Sequence, residues 1–516
     1  MILEKLNAII IERTRELSSK YETLNDEETL RIAKVLAHRE LTEDDYRADI
    51  HELLHFNSET EFIGKNLFIN KARHELKQSE KRVSTCKLLV KISTESSPSW
   101  GATTITAHNN QLYFFRYTHF EPMSAEFIST TIKELGEDFQ LNPFDFEDYK
   151  FVKECEAQMM HSAHRAILPP VNETYVNLLN GTLVISRSTG TSLIRHSPKL
   201  FFTYCLPFPY LPKTKAPKFQ KFLDEVLPEK GAQNALLEFF ASCFISNTSD
   251  FKIEKALFLK GTGSNGKSVV HDIFRATLGK HNVSSVSLEL LSKNNFSLPL
   301  IDGKLLNFAS EIGTKFESTV FKALVSQEGV TVDRKNEKMY EMERHPRLAF
   351  NCNELPTSQD RTPAVIRRML IIPFDVTIGE ANRDPRLAET IIQEELTGVF
   401  NLIMDGLIRL HRNKAFSKSE LIDGALVDYK KSMNTVHAFC EMKGLIPDSN
   451  SWYGLEDFYL KEYVDFCSKE QLKPVNSFDF KKLFEAEGFE KGRSNAGVNG
   501  GRTGWHVRIP LSREAP

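Results

Sequence analysis

The run Gly261-Thr262-Gly263-Ser264-Asn265-Gly266-Lys267-Ser268 constrains this chain more than any other feature. The apolar residues Ala256 to Leu259 before it fit a strand, and the segment after it is helical as far as about Gly279. Glycines at 261, 263 and 266 let the backbone curl so that successive N–H groups face inward. The following helix adds the positive end of its dipole at the same point. A strand–loop–helix of this kind belongs to a parallel sheet flanked by helices. Residues 251–375 alternate short apolar runs with helical patterns as such a sheet requires.

The chemistry of the loop follows from its residue types. Inward N–H groups from Gly261, Thr262, Gly263, Ser264, Asn265 and Gly266 suit phosphate oxygens, with Lys267, Ser268 and Val269 opening the helix. Lys267 has the length and charge to reach β- and γ-phosphates, and the Ser268 hydroxyl can ligate Mg²⁺. The expected cofactors are therefore ATP and Mg²⁺. Three further elements follow in order. The apolar run Leu305 to Ala309 leads into Ser310-Glu311, and we expect this strand beside that of the loop. Glu311 there would orient the attacking water and hold the metal shell, with Ser310 standing where a second acid is usual. The run RLAFNCNELP ends a third strand at Asn353, placed to hydrogen-bond a terminal phosphate. Arg367 and Arg368 precede a fourth, Met369 to Ile372, and offer guanidinium groups for a transferring phosphoryl group, with Arg361 a further option. In ring-shaped ATPases such an arginine often comes from the neighbouring subunit.

In this order, GTGSNGKS, LLNFASE, the segment from Phe321 to Pro356 and IRRMLIIPF resemble the superfamily 3 helicases. More narrowly they look like the phage and plasmid primase-helicase branch, which includes the poxvirus-type nucleoside triphosphatase. The upstream run NGTLVIS…HSPKLFFTYCLPFPY resembles the domain that precedes the motor in that branch. The resemblance covers residues 170 to 380 well and the C-terminal domain more loosely. It implies an AAA+-like core, a homo-hexameric ring and 3′-to-5′ translocation on single-stranded DNA. It also implies a DNA-gripping segment between Glu311 and Asn353, with Lys322 on a helix and Arg334, Lys335 and Lys338 approaching a hairpin. Asp333, Glu337, Glu341 and Glu343 interleave with those bases, so a solvated hairpin is the competing reading. Tyr340 either stacks on a base or packs.

The remaining chain divides by composition. Residues 1–150 form an accessory region that includes a hairpin from Thr104 to Tyr117 turning at His108-Asn109-Asn110. Its acids Glu137, Asp138, Asp145, Glu147 and Asp148 follow no clear strand and read as a solvated face, so no primase activity is assigned to it. Residues 151–250 form a collar region with a Pro-rich stretch from Pro198 to Pro217, then two amphipathic helices broken near Pro228. The motor follows at 251–380 and a helical lid at 381–450. Residues 451–516 look like a winged helix, with a second helix from about Ser477 to Glu487 carrying Lys481 and Lys482, and GVNGGRTG as the wing turn. The expected architecture is thus α/β, a motor with a parallel sheet between a mixed α+β region and a winged-helix domain.

Global properties exclude little beyond this. The formal net charge is -3, so a nucleic-acid surface has to be local. The seven cysteines include no CxxC pair, which argues against a zinc ribbon or a disulfide framework and for a reducing, cytoplasmic setting. No apolar run reaches the ~20 residues of a membrane span, and the N-terminus reads as an amphipathic helix rather than a signal peptide. The expected partners are single-stranded DNA in a ring channel, duplex or origin DNA at the C-terminal domain, further copies of the chain, and replication proteins. The alternatives are a DNA-independent switch or assembly ATPase, and a primase-helicase with a cryptic N-terminal primase.

Overall fold

The computed structural model describes residues 2–21, 24–40, 105–108, 111–138, 148–161, 173–186, 190–245, 251–293, 295–310, 312–313, 315–333, 339–342, 345–358, 363–380, 383–493 and 502–509. Helices α1 (Ile2–Lys20) and α2 (Asp26–Glu40) pair through Leu17, Ile32 and Val35 and reach Leu179 and Cys205 downstream. The amphipathic N-terminus is therefore used for packing. Strands β1 (Ile105–His108) and β2 (Gln111–Arg116) form the expected hairpin, which β3 (His119–Pro122) extends. Helices α3 (Ala125–Asp138) and α4 (Tyr149–His161) follow. Strands β4 (Glu173–Leu178), β5 (Gly181–Ser186) and β6 (Gly190–Ile194) make a second antiparallel sheet. Buried Asn177 joins the two sheets, its amide donating to the Thr118 and Tyr204 carbonyls.

Helices α5 (Pro217–Val226) and α6 (Lys230–Ala241) lead into the main sheet. Proline cannot continue a helix from within, so Pro228 separates them as the sequence requires. The main sheet comprises β7 (Ala256–Lys260), β8 (Val283–Ser284), β9 (Leu306–Ala309), β12 (Arg347–Cys352) and β13 (Met369–Pro373). Its order is β13-β7-β12-β9-β8 and every pairing is parallel. One expectation is corrected here. Strand β9, which leads to Ser310-Glu311, is not beside β7, because β12 is inserted between them. The hydrophobic runs of β9 and β12 look alike in sequence, and only the long crossover decides which one sits against β7.

Four more elements lie between β9 and β12 or beside the loop. Helix α7 (Lys267–Leu278) crosses between β7 and β8, α8 (Ser318–Val325) follows β9, and β10 (Val330–Val332) pairs antiparallel with β11 (Tyr340–Met342). Side chains of a strand alternate between faces, and the core divides accordingly. Leu257, Leu259, Ala349 and Ile372 face Val270, Ile273 and Phe274 of α7, Phe240 of α6, and Phe400 and Ile403 of a later helix. Phe258, Phe350 and Ile371 face Phe321, Leu324, Val332, Met342 and Tyr429. Each large apolar side chain so buried contributes roughly 1.5–3 kcal/mol, which makes the three-layer sandwich the main stabiliser of this region.

Helices α9 (Leu387–Glu394), α10 (Leu396–Asn413), α11 (Glu420–Met433) and α12 (Thr435–Met442) complete the helical region expected there. Carboxylates clasp it to the helices before the sheet. Fully buried Glu238 of α6 accepts from Arg409 and from Ser417, and Glu395 accepts from the Lys218 and Phe219 amides at the start of α5. The C-terminal domain has its own aromatic core of Phe439, Phe458, Tyr463, Phe480, Phe484 and Trp505. Helix α13 (Ser477–Ala486) lies against strands β14 (Lys491–Arg493) and β15 (Thr503–Trp505), which pair antiparallel. Among the described residues no helix is long and apolar enough to cross a membrane.

Candidate functional site

The Gly261–Ser268 loop is held by close backbone approaches that its glycines permit. The Gly261 amide donates to the Cys352 carbonyl at 3.0 Å, which fastens the loop to the end of β12. A Cβ at position 261 would lie 2.1 Å from Asn265 Nδ2 and 2.6 Å from the Phe374 carbonyl. Asn265 occupies that space, its Nδ2 donating to the Phe374 carbonyl at 2.9 Å. Gly266, the residue before α7, has φ 85°, and a Cβ there would meet Phe222 and Val226 of α5 at 2.9 Å. Thus α5 forms the back wall of the loop, and only glycine turns the chain into α7 against it.

Lys267 is buried at the first position of α7. Its Nζ donates to the Gly261 carbonyl at 2.5 Å and to Asn265 Oδ1 at 3.0 Å. Both acceptors are uncharged, and among the described residues its ammonium meets no carboxylate. Burial lowers its pKa, while the nearby Cys352 thiol acts weakly the other way. The same burial pushes the Cys352 thiol up to about 12, which keeps it protonated and inert. A buried cation without a counter-charge, set at the N-terminus of a twelve-residue helix, is electrostatically incomplete. A phosphate group would fill that deficit, with anionic oxygens for Nζ and for the N-terminal amides of α7 together. Ser268 is exposed on the first turn of α7, which suits a metal that contacts both the protein and a bound phosphate.

Part of the wall was not legible in the sequence. The segment after β13 folds over the loop, its Ile378 amide donating to the Ser264 carbonyl and Arg383 Nη2 to Ser264 Oγ, both at 2.8 Å. Ser264 is held there at φ 52°. Arg383 thus stands over the Gly261–Ser268 loop of its own chain. No spacing rule marks it, because it lies in a charged stretch without periodicity.

The other expected site residues separate into distinct positions. Asn353 is exposed immediately after β12, on the edge of the sheet where the loop lies. The two neighbouring arginines have different environments. Arg367 is exposed, whereas Arg368 is buried and donates to Ser326 Oγ through two nitrogens (2.9 and 2.7 Å) and to the Ala364 carbonyl at 2.8 Å. Arg368 is thereby committed to its own chain and joins the start of β13 to the end of α8. Lys322 is half-buried on α8. Tyr340 pairs with Val332 at the turn end of the β10–β11 hairpin and donates to Asp302 at 2.5 Å. Lys482 is exposed and Lys481 half-buried on α13. Glu311, Arg334, Lys335, Lys338 and Arg361 lie outside the described residues.

Comparison with known proteins gives matches along the same stretch. A family model described as D5 N terminal like matches residues 104–228, and a family of unknown function (DUF5906) matches residues 259–368. A curated protein of Acanthamoeba polyphaga mimivirus, named "Putative helicase L207/L206", is 23% identical over 284 residues, which is 48% of this chain and 28% of that protein. The chain therefore spans little more than a quarter of the viral protein's length. Among solved structures, the A form apo structure of the NrS-1 C terminal region matches with a TM-score of 0.44 at 14% identity, covering 78% of this chain and 84% of that one. A second apo structure of that region, residues 305–718, gives 0.38 at 14% identity, over 78% and 85%. The D5-type match and the helicase-named relative point to a family of the primase-helicase type.

Proposed function

We propose that this chain is the ATP-hydrolysing motor of a superfamily 3 DNA helicase that works as a ring in the replication of a phage, plasmid or other mobile element. One observation carries the proposal: the buried Lys267 ammonium, without a carboxylate among the described residues, sits at the head of α7 beneath a loop shaped by Gly261 and Gly266. Lys267 and the α7 amides would hold the phosphates. Ser268 and Glu311 would hold Mg²⁺, which neutralises charge on the phosphoryl oxygens when bound. Glu311 would orient the water, and Asn353 would hydrogen-bond the terminal phosphate. Exposed Arg367 suits reaching a neighbouring subunit's site, while buried Arg368 braces it. In the ring channel, Lys322 and the hairpin bases Arg334, Lys335 and Lys338 would grip single-stranded DNA. The aromatic C-terminal domain, with Lys481 and Lys482 on α13, would act as a winged helix on duplex DNA.

A second reading, a DNA-independent switch ATPase, is favoured by the acidic Glu341 on β11 and Asp333 just after β10. Turnover by the purified chain tests the reading shared by both. ATP hydrolysis by the wild type, abolished in Lys267→Ala with the melting temperature unchanged, is the expected result. Equal turnover by Lys267→Ala would remove the loop from the active site.

A further inference from the structure

Strand β12 carries a polar residue that the motif reading passes over. Asn351 pairs with Leu259 of β7, one rung below the Cys352–Lys260 pair on which the phosphate loop rests. Alternation puts it on the same face as Ala349 and Leu259, the face covered by α7. Helix α7 crosses that face towards β9, since the His271 ring of its second turn lies 4.7 Å from the Phe308 ring of β9. The last β9–β12 pair is Ala309–Phe350, so Asn351 stands one residue beyond it, where β9 passes into Ser310. It is therefore enclosed by the end of the phosphate-loop strand, the first turns of α7 and the exit of the strand that leads to the acid.

In that position Asn351 is 7% exposed, and among the described residues its Oδ1 accepts no hydrogen bond. A buried amide oxygen left unpaired destabilises the fold, and an apolar residue of the same shape would remove the cost. The neighbouring positions on this face are apolar: Ala349 on the same strand and Leu257 and Leu259 on β7. An amide held at a cost beneath a phosphate loop is explained by a partner that arrives with the substrate.

We propose that Asn351 is a positioning residue of the hydrolytic site, its Oδ1 accepting a hydrogen bond from a water in the shell between Ser268 and the terminal phosphate. The inference rests on the ATPase reading above. It assigns Asn351 a role separate from that of exposed Asn353. Asn353 follows the strand end and touches the phosphate, whereas Asn351 lies deeper and acts through water.

Two variants of the same branched shape separate function from packing. Asn351→Leu removes the acceptor, and Asn351→Asp keeps it. Asn351→Leu is expected to melt at or above the wild-type temperature, to bind a fluorescent ATP analogue with a Kd within about threefold of wild type, and to lose about 100-fold in kcat. Asn351→Asp is expected to recover most of that kcat. Wild-type turnover in Asn351→Leu, with Lys267→Ala inactive, overturns this proposal and leaves the ATPase reading intact. A Leu variant that unfolds shows that the amide oxygen is paired in the fold. The Asp variant, if it folds yet turns over no better than a Lys267→Ala control, overturns the acceptor role independently. Absence of Lys267-dependent hydrolysis in the wild type brings down both.

Discussion

Lys267 concentrates the physical argument in one side chain. Burial lowers its pKa in the free protein, and a bound triphosphate favours the charged form and raises it again. The sign follows directly. At alkaline pH the free protein carries less than one proton on Lys267 and the complex carries a full one, so binding takes up a proton. Calorimetric titration with a non-hydrolysable ATP analogue, in two buffers of different ionisation enthalpy, should show uptake that grows as pH rises below the ordinary lysine range and is absent in Lys267→Met. Proton release would contradict the assignment. Gly266 gives a second test at this scale. Gly266→Ala forces a left-handed alanine against Phe222 and Val226 and should cost about 2–4 kcal/mol by denaturant titration. A wild-type midpoint would show that α5 yields. Both residues were legible in sequence, because glycine spacing and a lysine at a helix start leave few alternatives. Arg383 and Asn351 were not, since the role of each arises from contacts between segments far apart in the chain.

Among elements, the short parallel strands were the most legible. The apolar runs at 256–259 and 369–372 match β7 and β13 to within one residue, because fully buried strands leave unbroken hydrophobic sequence between turn residues. Their lateral order was misread, since nothing in the apolar run of β9 says that β12 will intervene. The arginine pair shows a similar limit. Both lie in the turn before β13, where one is buried and the other exposed. Arg368→Ala should therefore lose about 2–3 kcal/mol of stability by removing the brace between β13 and Ser326. Arg367→Ala should keep its melting temperature and lose hydrolysis. Mixing it with Lys267→Ala protomers should restore activity at intermediate ratios, as each supplies what its neighbour lacks. No recovery at any ratio would place Arg367 outside a shared site.

At the scale of the whole molecule, the carboxylate clasps from Glu238 and Glu395 join the helices before the sheet to those after it. Helix α5, one of the clasped elements, is also the back wall of the phosphate loop. Helix α5 thus packs against both the loop and the helical region. The sequence marked these regions by composition, but the partners of Glu238 lie more than 170 residues away, beyond any local pattern. We propose that hydrolysis serves movement on DNA. The measurement that tests it most directly is the ATPase rate of the purified chain with and without single-stranded DNA, beside Lys267→Ala. Strong stimulation by DNA that disappears in the variant is the predicted result. Lys267-dependent hydrolysis that is indifferent to DNA would contradict the helicase account and leave a switch or assembly ATPase in its place.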